Sequence, residues 1–189
     1  MKNSWIILAI IIVVVLLIGG WVAGIYNGLV NLDQGVKTSW AQVENQLQRR
    51  YDLIPNLVNT VKGYAKHEKD VFIQVTEARA KIGSAKSVND KVAASNAMES
   101  AIARLLVVVE NYPQLKASTN FLALQDELAG TENRLSVARM RYNEEVQKYN
   151  TRAKSIPTVM FVRMFGFDGE KAFFKTSSEA AKEAPKVTF

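Results

Sequence analysis

The stretch from Leu29 to Ile82, LVNLDQGVKTSWAQVENQLQRRYDLIPNLVNTVKGYAKHEKDVFIQVTEARAKI, carries one apolar stripe for its whole length. Leu29, Leu32, Val36, Trp40, Val43, Leu47 and Tyr51 recur at steps of three and four. Ile54, Val58, Val61 and Ala65 continue the stripe, and Phe72, Val75 and Ile82 close it. This is the period of an amphipathic helix packed along its length, since a strand would alternate every second residue. The interleaved Gln34, Lys37, Gln42, Asn45, Gln48, Arg49, Asp52, Asn56, Lys62 and Lys66 are polar, as a solvated face requires. The expectation is one helix through Ile82, roughly 80 Å long at about 1.5 Å per residue. Leu53, Leu57, Tyr64 and Val71 then form a second, surplus stripe of the kind another chain covers.

Pro55 interrupts the pattern without breaking its phase. Proline removes a backbone donor and crowds the carbonyl four residues back, so it bends or divides a helix. Tyr51, Ile54 and Val58 cross it in register, and Ile54 is a poor N-cap for a new helix. The stripe therefore favours a kink over a break.

Working outward to the N-terminus, Trp5 to Ile25 holds no charge, and twelve of the thirteen residues from Ile6 to Ile18 are Ile, Leu or Val. Those residues favour insertion by roughly 4–7 kcal/mol, and the length suits a hydrocarbon core of about 30 Å. Trp5, Trp21 and Tyr26 stand where interfacial aromatics belong. A signal-anchor over residues 1–26 is expected, because the apolar core is longer than that of a cleaved signal and Trp21 is bulky near the only cleavage-like site. Lys2 and the terminal amine before the span, against Lys37 after it, lean towards the N-terminus inside and an extracytoplasmic body.

Towards the C-terminus, Gly83–Lys86 reads as a turn, and Ser87 with Asp90 fits a capping box opening a helix that runs to Tyr112 and is closed by Pro113. Val88, Val92, Ile102, Leu106 and Val109 mark its inner face, and the unbroken run 105–109 suggests burial on more than one side. A third helix starts near Ser118–Asn120, with Phe121, Leu124, Leu128, Leu135, Ala138, Tyr142, Val146 and Tyr149 inward, and stops before Pro157. The expected fold is all-α: a transmembrane helix continuing into an antiparallel up-down bundle, residues 27–157, of three to four long helices with coiled-coil-like packing.

Residues 158–189 change character, with seven large apolar residues crowded between Thr158 and Phe167 around Arg163, and an Ala, Lys and Glu mixture after them. The crowded segment is too short to span a bilayer. It must plug the bundle, lie in the membrane interface or join protomers. If the first helix runs out and the second returns, the third runs away from the anchor, which favours packing on the distal bundle or a neighbouring protomer.

The chain has 189 residues, a formal charge of +6, one histidine and no cysteine. The absence of cysteine excludes disulfides, thiol nucleophiles and Cys-ligated zinc. His67 alone cannot build the Glu-x-x-His pairs of helical di-metal sites, so Glu127, Glu132, Glu144 and Glu145 read as ion-pair partners, Glu144 with Lys148 for example. The basic charge is spread along helical faces among acids, which argues against nucleic acid. No catalytic residue, cofactor or metal site is expected. The candidate interaction residues are Arg49, Arg50, Tyr51, Asp52 and Pro55, where paired cations beside a kink can grip an anion or bond to acids of a neighbouring helix, and Phe161, Arg163 and Phe165. Gly130 inside a helix marks either a close backbone approach or a tolerated defect.

Four strings, RRYDLIPNLVNTVKGYAKHEK (49–69), VVVENYPQLKAS (107–118), NFLALQDELAGTENRLSVARMRYNEEVQKYN (120–150) and FGF (165–167), resemble the LemA family. The resemblance implies a single-pass bacterial or archaeal membrane protein with an antiparallel helical bundle and no established catalytic residue or cofactor. It also implies kinship with systems that shape internal membranes, magnetosome membranes among them, and an extracellular N-terminus, against the charge lean. Together these lead to a cell-membrane scaffold or adaptor, non-enzymatic and homo-oligomeric, that engages the lipid bilayer and other proteins and organises or remodels membranes. The other reading is a bundle that senses a small ligand or lipid in a pocket lined by Tyr51, Tyr142 or Tyr149.

Overall fold

The computed structural model describes residues 2–65 and 67–175, with the side chains of residues 2–4 left aside. Lys66 of the polar face, the Lys2 side chain of the orientation argument and the tail beyond Lys175 fall outside the described residues. The elements are α1 (Lys2–Lys62), α2 (Lys69–Ser84), α3 (Val88–Val109), α4 (Pro113–Lys116), α5 (Thr119–Lys154) and α6 (Thr158–Val162). The described residues contain no strand. The chain divides into two compact units, Met1–Ser39 with Asn143–Lys171, and Trp40–Tyr142 with Ala172–Phe189.

α1 passes through Pro55 without interruption. The helix does not reach Ile82, however: it ends at Lys62, the chain turns at Gly63 and Tyr64, and α2 begins at Lys69. The amide of Tyr64 bonds to the carbonyl of Val61 at 3.0 Å, a tightened last turn, and Ala65 follows with its own bond to the same carbonyl at 2.9 Å. Gly63 is a weak helix former, and the charged residues after it favour water over a packed face. The apolar phase hid this break because Ala65, Phe72 and Val75 are buried together in one core on both sides of the turn. His67 is exposed in that turn rather than along a helix.

The break also disposes of the surplus stripe. Leu57 is fully buried, and Leu53 and Val71 pack against the core. Only Tyr64 of that set is exposed. The second face of α1 is therefore covered by this chain's own helices, and nothing in it calls for a second copy.

In the second unit, Phe72, Val75 and Ala78 of α2 meet Met98, Ala101, Ile102 and Leu105 of α3, with Leu115, Phe121 and Leu128 completing the cluster. Each fully buried Leu or Phe contributes about 1.5–3 kcal/mol. The entry to α3 is a capping box: Ser87 Oγ accepts from the Asp90 amide at 3.0 Å, and the Ser87 amide donates back to Asp90 at 3.2 Å. α3 ends at Val109, earlier than Tyr112, and Pro113 opens the short α4 instead of only closing α3. Val107 is exposed, so the 105–109 run is buried on one side only. Along α5, Phe121, Leu128, Leu135, Ala138, Tyr142, Val146 and Tyr149 are all buried, as their spacing predicts.

In the first unit, Ile25, Leu29 and Val36 of α1 are buried, as are Val146, Tyr149 and Ala153 of α5. Every large apolar residue from Trp5 to Ile18 is exposed. That part of α1 is long and apolar enough to cross a membrane; α3 is long and apolar enough too, but nearly half of its apolar window is buried in the core.

Candidate functional site

The arginine cluster on α1 is paired with acids of α5. Arg49 donates through Nε to Glu127 at 2.9 Å and pairs through its terminal nitrogen at 2.7 Å, with Arg134 sharing the same carboxylate at 3.2 Å. Arg50 pairs with Glu132, whose other oxygen lies 3.5 Å from Arg139. Arg139 in turn donates to Ser95 at 2.9 Å and lies 4.7 Å from the centre of the Phe174 ring. Burial pushes the Arg139 guanidinium below the usual arginine value; Glu132 and Glu99 oppose that, while the neighbouring Arg50 adds to it. The Nε atoms of Arg50 and Arg139 are buried with no hydrogen-bond partner among the described residues. One carboxylate is thus shared by two buried cations, and Arg49 and Arg50 bond to acids of α5.

Tyr51 is half-buried with the Arg79 guanidinium 4.1 Å over its ring, and it borders an open groove with Glu44, Gln48, Ile82 and Lys91. Asp52 is exposed and accepts from Gln48 at 2.9 Å. Tyr142 and Tyr149 are buried instead. Tyr142 is 3% exposed, lies against Trp40 at 5.1 Å and donates to the Ala172 carbonyl, while Tyr149 is fully buried and donates to the Asp168 carbonyl at 2.6 Å. Of the three tyrosines expected to line a ligand pocket, two are packed into cores. Gly130 meets only the flexible end of Arg134, at 3.5 Å, so it marks no close backbone approach. Lys148 takes Glu145 at 2.7 Å instead of Glu144.

The segment around Arg163 lies beside Trp21 and Tyr26 of α1 rather than away from them. Phe161 meets Trp21 edge-on at 6.2 Å and stacks on Phe165 at 5.8 Å; Phe165 meets Tyr26 edge-on at 5.2 Å, and Phe167 lies 5.8 Å from the same ring. The expected packing on the distal bundle is therefore wrong. The expectation counted one helix where the turn at Gly63 makes two, α1 and α2, so the chain direction it assumed for the later helices does not hold. Thr158 and Val162 are buried, Phe161 and Phe165 half-buried, and Arg163 is exposed.

A polar latch that the sequence reading missed fixes the chain after this segment. The Lys171 ammonium sits between Asp33 at 2.9 Å and Asp168 at 2.6 Å, and Asn150 exchanges hydrogen bonds with the Lys171 backbone at 2.7 and 2.9 Å. Burial alone would lower Lys171, but Asp168 and Asp33 outweigh it and raise it to about 12. Burial alone would likewise raise Asp33, yet Lys37 and Lys171 hold it below the usual carboxylate range. A signal was present: Asp33 is four residues after Leu29 and three before Val36, which puts it on the buried stripe.

The LemA family model matches residues 39–189 of the chain. Among curated proteins, Magnetosome protein MamQ 1 and MamQ 2 of Paramagnetospirillum magneticum are each 24% identical to it, over 86% of this chain and 68% of theirs. Magnetosome protein MamQ of Magnetospirillum gryphiswaldense is 23% identical over the same shares.

Proposed function

Because the chain belongs to the LemA family, we propose that it is a membrane-anchored, non-enzymatic adaptor that helps organise membranes, its helices forming an antiparallel up-down bundle. The observation that carries the reading is the contrast within one chain: every large apolar residue from Trp5 to Ile18 is exposed, while the residues after Ile25 close cores of their own. Apolar surface on that scale is stable in hydrocarbon and not in water. The antiparallel arrangement is supported by contact order, since Arg49 pairs with Glu127 and Trp40, earlier in α1, meets Tyr142, later in α5. The non-enzymatic part is supported by the charges, because Glu127 and Glu132, the acids best placed for chemistry, are taken up by arginines. The membrane-organising part rests on the named likeness to magnetosome proteins.

Self-association is a separate part of the proposal, and the covered Leu57 stripe no longer supports it. Sizing in mild detergent tests it, and a monomer would remove it while leaving the adaptor reading intact. The anchor is tested by fractionation. The full chain should stay in the membrane pellet after a carbonate wash, and a chain lacking residues 1–26 should appear in the supernatant. Release of the full chain by carbonate would refute the anchor. Protease protection of the body in intact cells tests the extracytoplasmic placement.

A further inference from the structure

We propose that α6 and the residues flanking it form a second membrane contact, seated in the same leaflet through which α1 leaves the bilayer. The inference rests on the anchor reading. Trp21 and Tyr26 lie about 24 and 31 Å along the helix from Trp5, at about 1.5 Å per residue, which puts them at the far boundary of a hydrocarbon core of about 30 Å. Whatever touches them lies at that depth. Phe161 touches Trp21, and Phe165 and Phe167 touch Tyr26.

The side chains that these contacts leave uncovered fit an interface. Ile156 is 85% exposed, Met160 74%, Met164 67% and Val159 46%, while Thr158 and Val162 hold the short helix from behind. Four large apolar side chains exposed within nine residues are costly in water, and at this depth acyl chains cover them. The segment between Ser155 and Phe167 contains no acid and one cation. That cation, Arg163, is exposed and makes no ion pair among the described residues, so its stem can lie along apolar surface while its guanidinium reaches a lipid phosphate. The first acid, Asp168, is neutralised by Lys171, and Glu170 pairs with Lys154 at 2.8 Å. Those charges begin where the segment turns back to water. An anchor with one contact leaves the first unit free to tilt. A second contact beside it fixes how the first unit stands on the membrane.

The absence of cysteine makes the test direct. Single variants Val14→Cys, Met160→Cys, Met164→Cys and Gln48→Cys of the full chain are labelled with an environment-sensitive fluorophore and reconstituted in vesicles of phosphatidylglycerol and phosphatidylcholine carrying nitroxide at defined acyl depths. The labels at 160 and 164 should be quenched severalfold more than the label at Gln48, most strongly by the shallow nitroxide. Val14 should be quenched most strongly by the deep one. Arg163→Glu should reduce quenching at 160 without changing it at Val14. Quenching at Val14 with none at 160 and 164 overturns this inference and leaves the anchor standing; no quenching at Val14 overturns both. Labels at 160 and 164 that are shielded from lipid and water alike, and that crosslink between chains, would assign the surface to a second copy and overturn the lipid reading.

Discussion

Replacing Glu132 by Gln keeps its shape and one acceptor oxygen but removes the charge that Arg50 and Arg139 share. The Arg50 and Arg139 side chains are only 8% and 10% exposed, whereas Glu132 is 33% exposed. Removing one partner of a buried pair typically costs 3–5 kcal/mol, because a charge is left behind without compensation. Here two are left. The partial exposure of the acid lets water reach the vacated side, which moves the expectation to the lower end, about 3 kcal/mol. For a chain of this size that lowers the melting midpoint by about 6–12 °C. Trp40 lies against Tyr142 and Phe174 in the same compact unit, so its fluorescence in a Trp5→Phe, Trp21→Phe background follows the unit that holds the pair. Glu127→Gln is the control, since its partner Arg49 is more than half exposed and such pairs contribute about 0–1 kcal/mol. Replacing Arg50, Glu132 and Arg139 together by apolar residues should recover much of the loss. Equal shifts for Glu127→Gln and Glu132→Gln, or a shift under about 2 °C for the latter, would refute the argument that burial decides the effect.

Gly130→Ala should raise the melting midpoint by about 2–4 °C, the effect of about 1 kcal/mol of helix propensity in a chain of this size, since its new methyl meets only the movable Arg134; a loss would mean that the helix surface there is covered. Pro55→Ala restores a donor towards the Tyr51 carbonyl inside α1 and should stabilise by part of the roughly 3 kcal/mol that an interior proline costs. Destabilisation in a thermal melt would show that Ile54 and Leu57 need the proline's geometry to seat. The latch around Lys171 predicts a two-sided pH profile. The depressed Asp33 stabilises above the ordinary carboxylate value of about 4 and loses that contribution as pH falls through its lower folded value. The raised Lys171 stabilises fully below about 10.5 and loses its contribution as pH climbs towards about 12. Proteolytic cleavage after residue 167 should therefore be slowest between these limits, and Asp33→Asn should flatten the acid side.

The sequence by itself determined the all-α class and most of the buried faces, because a period of three to four over many residues favours helix over strand, and it marked the run from Ile6 to Ile18 as apolar enough to cross a membrane. It also determined the Ser87–Asp90 cap, a local device complete within four residues. The turn at Gly63 was decided by tertiary structure. An apolar step from Ala65 to Phe72 fits either a continuing helix or a chain that doubles back into the same core, and only the three-dimensional packing of Val61, Ala65 and Phe72 separates the two. From that one turn followed what the sequence placed wrongly: the covering of Leu57 and the seat of Phe161 and Phe165 beside Trp21 and Tyr26. Asp33, Arg50 and Arg139 belong to the same lesson. Periodicity can put a charged residue on a buried face, but the partner that makes its burial tolerable, Lys171 or Glu132, comes from a distant part of the chain and is fixed only when the helices meet.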